Sequence, residues 1–277
     1  MLLRVLTALV GVPVLLSAVW WGAPWLTLLV LLVAVLGISE IYRLLPPDIG
    51  PLPIVLGALW CASLVLGAQA SSTFNNFLLI SGGIWVVGAF LAILWLIAFY
   101  QGRRYLIALI YLAGGPIYVG FLLAHAVALR EVGSFDEVGL DAGRNWLLFA
   151  LLVTFATDTG AYFTGRSLGR RPMAPRLSPS KTWEGAAGGL VSGLLGAVIL
   201  SVFLDLYLTG WKVALIGATV AVVCQWGDLF ESKLKRIAGQ KDSGSIIPGH
   251  GGVLDRLDSI LISVPAVYYL VSPVVGP

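Results

Sequence analysis

The sequence predicts an all-α polytopic membrane protein of about nine transmembrane helices, with its N-terminus in the cytoplasm and its C-terminus outside. Three observations carry that expectation. Hydrophobic residues make up 58% of the chain and charged residues only 11%, where a soluble domain carries about 25% charge. Mean hydropathy is +0.94. The apolar residues also gather into runs of about 20, the length a helix needs to cross hydrocarbon. A water-soluble alternative would need one vast apolar core, and single cores stop growing at roughly 250–300 residues.

Taken in order, the runs lie near 4–21, 24–45, 52–70, 77–100, 105–129, 146–165, 185–208, 211–231 and 253–275. The first follows Arg4 and resembles a secretory signal. Trp20 and Trp21 stand where cleavage would fall, so it reads as a retained span. Proline, glycine and small polar residues in "APW", "PPDIGPLP" and "SSTFNN" end helices and separate the early spans. In the seventh span Gly185, Gly189, Gly193 and Ala197 recur at four-residue spacing, so one face admits a close helix neighbour. That neighbour is either another helix of this chain or a second copy in a homodimer; the spacing leaves both open. Cys61 and Cys224 lie in apolar runs, without metal-ligand spacing, and read as small core residues.

Lysine and arginine set the orientation, because cytoplasmic loops collect them. With the N-terminus inside, all but Arg130, Arg144 and Lys212 of the 17 basic residues lie at or near the cytoplasmic side. The acidic connection "REVGSFDEVGLDAGRN" then faces outward. A net charge of +3 is too small to argue for nucleic acid as a partner. The chain reads as one integral membrane domain, 1–277. Residues 1–104 form N-terminal helices, and 105–277 bring the helices and two long cytoplasmic loops that carry the candidate chemistry.

Acids inside apolar spans cost roughly 2.5–3.5 kcal/mol on insertion scales and mark function. Asp158 lies about two turns inside the sixth span, and Asp228 lies at the cytoplasmic end of the eighth. Asp255 and Asp258 open the ninth; three residues apart, they should share a helix face. The orientation brings all four to one side. Asp228 sits at an electronegative helix C-terminus and therefore calls for a cation. A hard ion such as Mg²⁺ takes one or two carboxylates together with substrate phosphates, so Asp228, Asp255 and Asp258 are the expected metal ligands, with room for a second cation.

Two loops supply countercharge. "PGHGG", containing His250, Gly251 and Gly252, precedes the ninth span, where backbone amides can cradle an anion. The loop "GRSLGRRPMAPRLSPSKTWEG" brings Ser180, Lys181 and Thr182 to a helix start at Glu184. These hydroxyl and ammonium groups suit a phosphate clamp, although the Walker pattern is absent.

The segment "SKLKRIAGQKDSGSIIPGHGGVLDRLD", Ser232 to Asp258, resembles the signature of the phosphatidate cytidylyltransferases, or CDP-diacylglycerol synthases, without a departure. "SPSKTWEG" and "DTGAYFTGR" are similar to further segments of that family. The resemblance implies transfer of the cytidylyl group of CTP to phosphatidic acid, with Mg²⁺, by an enzyme of the bacterial cytoplasmic membrane working from the cytoplasmic face. Asp228 and Asp255 would hold the ion, with Asp258 in support. Lys181, Lys235, Arg236, Lys241 and Arg256 would spread the remaining phosphate charge, and Asp242 lies within the substrate-binding signature. His250 would bind phosphate or shape its turn, since a phosphate monoester with a second pKa near 6 is already mostly a dianion and needs no base. A CTP-dependent lipid kinase is the alternative use of these parts. An ion-coupled transporter predicts inverted repeats, and the sequence shows none.

Overall fold

A computed structural model describes residues 2–44, 52–100, 105–133, 142–206, 208, 210–244, 246 and 251–275. His250, the pair Arg103 and Arg104, and residues 134–141 of the acidic connection lie outside the described residues. The elements are α1 (Leu2–Trp21), α2 (Trp25–Arg43), α3 (Leu52–Gln69), α4 (Phe74–Phe99), α5 (Tyr105–Pro116), α6 (Leu122–Glu131) and α7 (Ala142–Leu168). After β1 (Pro172–Ala174) and β2 (Ser178–Thr182) come α8 (Trp183–Phe203), α9 (Gly210–Ile237) and α10 (Ile260–Val275). Among the described residues, seven rods are long and apolar enough to cross a membrane: α2, α3, α4, α5 running into α6, α7, α8 and α9. Within α1 and α10 the apolar stretches Leu9–Trp21 and Ile260–Pro273 are shorter.

Two compact units form. The first comprises Met1–Val132, Asp242–Arg256 and Gly276–Pro277; the second comprises Gly133–Lys241 and Leu257–Val275. In the first, small residues set how closely helices approach. A methyl at Gly57 would stand 2.5 Å from the Tyr42 ring, and one at Gly120 would stand 2.8 Å from the Cys61 backbone. The Tyr42 hydroxyl donates to the Leu112 carbonyl at 2.8 Å, so this phenol is satisfied inside the bundle. The tract Gly114-Gly115-Pro116 ends α5, and a π-helical turn, Ile117–Phe121, carries the rod into α6. Proline contributes no N–H to the ladder, which is an ordinary cause of such a turn. The Thr73 hydroxyl caps α4 by accepting from Asn76 N at 3.2 Å, which explains the break read in "SSTFNN".

In the second unit, α7 and α8 pack along the small-residue stripe, and Gly185, Gly189, Gly193 and Ala197 are all buried. A methyl at Gly189 would stand 3.0 Å from both Ala161 Cβ and the Thr157 carbonyl oxygen. The far side of the stripe meets α9, where a methyl at Gly193 would stand 2.8 Å from Ala221 Cβ. The stripe's neighbours are therefore helices of the same chain. Helix α10 is pinned to α7 by the Thr154 hydroxyl donating to the Ser263 hydroxyl at 2.8 Å.

Two sequence expectations change here. The loop after α7 is not irregular throughout: β1 and β2 form an antiparallel hairpin, with Pro172 opposite Thr182. The ninth helix does not begin at 253. Residues Leu254–Arg256 make one tight 3₁₀ turn, and α10 starts at Ile260. Asp255 and Asp258 thus precede the helix instead of sharing its face. The physical reason is local: the Asp255 carboxylate accepts backbone N–H groups of its own loop, a bonding pattern that competes with helix formation.

Gly193→Leu should overpack the α7–α8–α9 contact and destabilise by about 1–3 kcal/mol. It should show as a lower melting temperature in detergent. Gly83→Leu on α4, where a methyl would meet nothing within 4 Å, should leave melting close to wild type.

Candidate active site

The chemistry-bearing residues of the second unit come from four elements. Asp158 lies on α7, Lys181 on β2, Asp228 on α9, and Asp258 in the turn before α10. The hairpin delivers Lys181. Its last residue, Thr182, caps α8 by accepting from Gly185 N at 3.1 Å, while Trp183 N donates to the Arg171 carbonyl at 3.0 Å. Glu184, in the first turn of α8, accepts from the backbone N–H groups of Arg170 and Arg171 at 3.0 and 3.1 Å. Thr182 and Glu184 therefore build the hairpin-to-helix junction, and Ser180 stays exposed on it.

That junction lets Lys181 Nζ pair with Asp228 Oδ2. Asp228 does not stand at a helix C-terminus, where the sequence put it: α9 continues nine residues further, to Ile237, and the cation beside Asp228 is the Lys181 ammonium from β2. Asp258 comes close to Asp228 because Gly227 allows it: a methyl at Gly227 would stand 2.6 Å from the Asp258 carbonyl oxygen. Asp258 Oδ1 accepts from Ser259 N at 2.7 Å, and the Ser259 hydroxyl donates to Asp158 Oδ1 at 3.4 Å. Burial, then the charges of Asp228, Glu231 and Asp158, push the Asp258 carboxyl well above the usual carboxylate range. This is an arrangement with more negative charge than its own lysine neutralises.

Around it the end of α9 is organised by ion pairs and capping bonds. Lys235 Nζ lies 3.0 Å from Glu231 Oε1, and Glu231 is buried. Arg236 Nε donates to the Leu177 carbonyl in the hairpin turn at 3.4 Å, and its Nη1 donates to the Gln240 carbonyl at 3.4 Å. Lys241 is exposed at the end of this segment.

In the first unit, Asp255 is the centre of the signature loop. Its Oδ2 accepts from Ser243 N at 3.0 Å and Gly252 N at 2.8 Å, and its Oδ1 accepts from Ser243 N at 3.2 Å. Two N–H groups, one shared between both oxygens, thus take up part of the roughly four lone-pair sites a carboxylate offers. Gly251 adopts φ +83°, and a methyl there would stand 2.7 Å from Asp255 Oδ2. Asp242 and Arg256 are exposed at the ends of the loop.

The structure adds a residue absent from the expected set. Glu40, near the end of α2, is only 1% exposed. Its carboxylate accepts from Val253 N at 2.8 Å, Leu254 N at 3.0 Å and the Ser243 hydroxyl at 3.1 Å. A signal existed in "GISEIYR": it is a lone acid within an apolar span, the kind that marks function by default. Its nearness to Arg43 made it resemble an ordinary helix end.

Among the described residues, no three His, Cys, Asp or Glu side chains converge as a metal-binding group. A hard cation held chiefly by phosphates needs only one or two protein carboxylates. The Asp228 and Asp258 pair, crowded by like charge, fits that smaller requirement.

A family model described as the cytidylyltransferase family matches residues 2–274. A phosphatidate cytidylyltransferase of Staphylococcus haemolyticus is 31% identical over 265 residues, 96% of each chain. One from Bacillus subtilis is 42% identical over 156 residues, covering 56% of this chain and 55% of that protein. One from Brucella suis is 40% identical over 158 residues, covering 57% of this chain and 55% of that protein.

Raising the Asp258 pKa above its unfolded value means that the folded protein binds the extra proton over the intervening range. Ligand-free stability should therefore fall as pH climbs from about 4 toward neutrality. Asp228→Asn, which removes the largest of the repelling charges, should flatten that fall. Melting temperatures in detergent from pH 4 to 8, without divalent ions, would measure it; parallel slopes in the two proteins would contradict the assignment.

Proposed function

The chain belongs to the cytidylyltransferase family, and from that premise we propose that it acts as a phosphatidate cytidylyltransferase. The enzyme joins the cytidylyl group of CTP to phosphatidic acid, releasing pyrophosphate and leaving CDP-diacylglycerol for phospholipid synthesis. The observation that carries this reading is kinship along the whole chain: 31% identity across 96% of a protein of that name.

Phosphatidic acid presents its phosphate at the headgroup level of the membrane, and CTP arrives from water. Both are polyanions, so the main obstacle is bringing them together. Catalysis of this kind rests on positioning and on charge set in advance. Asp228 and Asp258 would hold Mg²⁺, which when bound neutralises phosphate charge. The sequence assigns Asp255 the same role, which it would share with the two loop N–H groups its carboxylate already accepts. Lys181, paired with Asp228, is placed to exchange that partner for a nucleotide phosphate. Lys235, Arg236, Lys241 and Arg256 would spread the remaining charge, with Ser180, Asp242, Gly251, Gly252 and His250 lining the substrates. A lipid phosphate oxygen then attacks the α-phosphorus in line, that bond forms, the bond to the β-phosphate oxygen breaks, and pyrophosphate leaves.

This reading places the protein in the bacterial cytoplasmic membrane, with nine crossings and both signature loops on the cytoplasmic side. The distribution of lysine and arginine supports that orientation.

Purified protein given CTP labelled at the α-phosphate and phosphatidic acid should yield labelled CDP-diacylglycerol and pyrophosphate, and should require Mg²⁺. Asp228→Asn and Asp258→Asn should each lower turnover by about 100-fold or more while remaining folded, as expected when a partner of transition-state charge is lost. Release of CDP together with a phosphorylated lipid would instead identify a lipid kinase.

A further inference from the structure

We propose that Glu40 on α2 is a positioning residue for the signature loop 242–256, acting on the reaction through that loop; the catalytic part of this inference rests on the cytidylyltransferase reading. A carboxylate withdrawn from water is strongly disfavoured unless hydrogen bonds replace its hydration. Glu40 has three such bonds, all from the loop: Val253 N, Leu254 N and the Ser243 hydroxyl, at 2.8, 3.0 and 3.1 Å. Asp255 grips the same two stretches from within the loop, taking Ser243 N on one and Gly252 N on the other. Two carboxylates, one from a helix some 200 residues earlier in the chain, thus clasp 243 to 252–254.

The clasp also explains two glycines of the signature. A methyl at Gly244 would stand 2.7 Å from Glu40 Oε1, and one at Gly252 would stand 2.6 Å from Glu40 Oε2. Those distances are shorter than van der Waals contact. At 244 the space a side chain would need is occupied by the Glu40 carboxylate, and at 252 by the Ser243 hydroxyl together with the Glu40 carboxylate to which it donates. Glycine at 244 and 252 therefore serves the fit between loop and helix, whatever anion the loop amides also meet. Glu40 touches no expected substrate group. What it determines is the conformation in which Gly251, Gly252 and Asp255 are presented.

Three variants test this. Glu40→Ala should raise KM for CTP by roughly 10–100-fold, the range seen when a partner that orients a binding group is lost. KM for phosphatidic acid should stay within about twofold of wild type, because the loop and not the lipid contact is disturbed. Hydrogen exchange at the amides of Val253 and Leu254 should accelerate, with α7, α8 and α9 unchanged. Gly244→Ala, whose added methyl has its three nearest neighbours on Glu40, should impair the wild type yet add nothing in the Glu40→Ala background, since the obstructing carboxylate is gone.

Additive effects of the two substitutions, unchanged exchange at 253–254, or an unchanged KM for CTP would each overturn the proposal. Should Glu40→Ala not fold, Ser243→Ala removes one donor of the clasp and should give the same exchange and KM changes in weaker form; no change would overturn it equally. The exchange measurement does not depend on the reaction. If wild-type protein made no CDP-diacylglycerol, the family reading would fail while the clasp remained open to test.

Discussion

Hydrocarbon offers a polar group no partner, and the buried acids among the described residues answer to that constraint. Backbone amides are satisfied within helices, so an apolar chain becomes a set of rods. Side-chain carboxylates have no such internal solution. Each acid that the helices carry into low-dielectric surroundings is matched to a specific donor: Asp228 to the Lys181 ammonium, Glu231 to Lys235, Glu40 to two backbone amides and a hydroxyl. Asp258 is the one left under net repulsion, and that imbalance marks the place where an added cation would be most welcome.

The two units solve the same problem by different means. In the second, glycines on α8 let α7 and α9 close in, and Gly227 lets the approach to α10 lie against α9. Small residues there convert helix packing into proximity between acids that belong to different helices. In the first unit, glycines at 244, 251 and 252 make room for carboxylates instead of for helices. The same residue type thus sets charge–charge distance in the second unit, and both helix approach and loop shape in the first.

Much of this was legible before any coordinates. Helices lie where apolar runs of about 20 residues lay, because length and hydropathy alone decide whether a segment can span a bilayer. The stripe Gly185, Gly189, Gly193, Ala197 showed a close helix contact, Asp158 and Asp228 stood out as acids too costly to be incidental, and Lys181 stood out in a loop suited to a phosphate clamp. The hairpin Pro172–Thr182 was not legible, since its strands are short and its pairing depends on the capped start of α8. The start of α10 was misplaced because hydropathy continues through Val253 and Leu254, whereas their amides are committed to Glu40.

By itself the sequence determined the class of protein, the order of its rods, the family signature and the residue types available for chemistry. Those properties follow from composition and from spacing along one chain. Tertiary structure alone decided which charges meet. It showed that Lys181 pairs with Asp228, that Asp255 accepts two N–H groups of its own loop, and that Glu40 holds that loop from a distant helix. The physical reason is range: propensity and hydropathy act over a few residues, whereas a buried carboxylate is satisfied by whichever donors the packed fold brings to it.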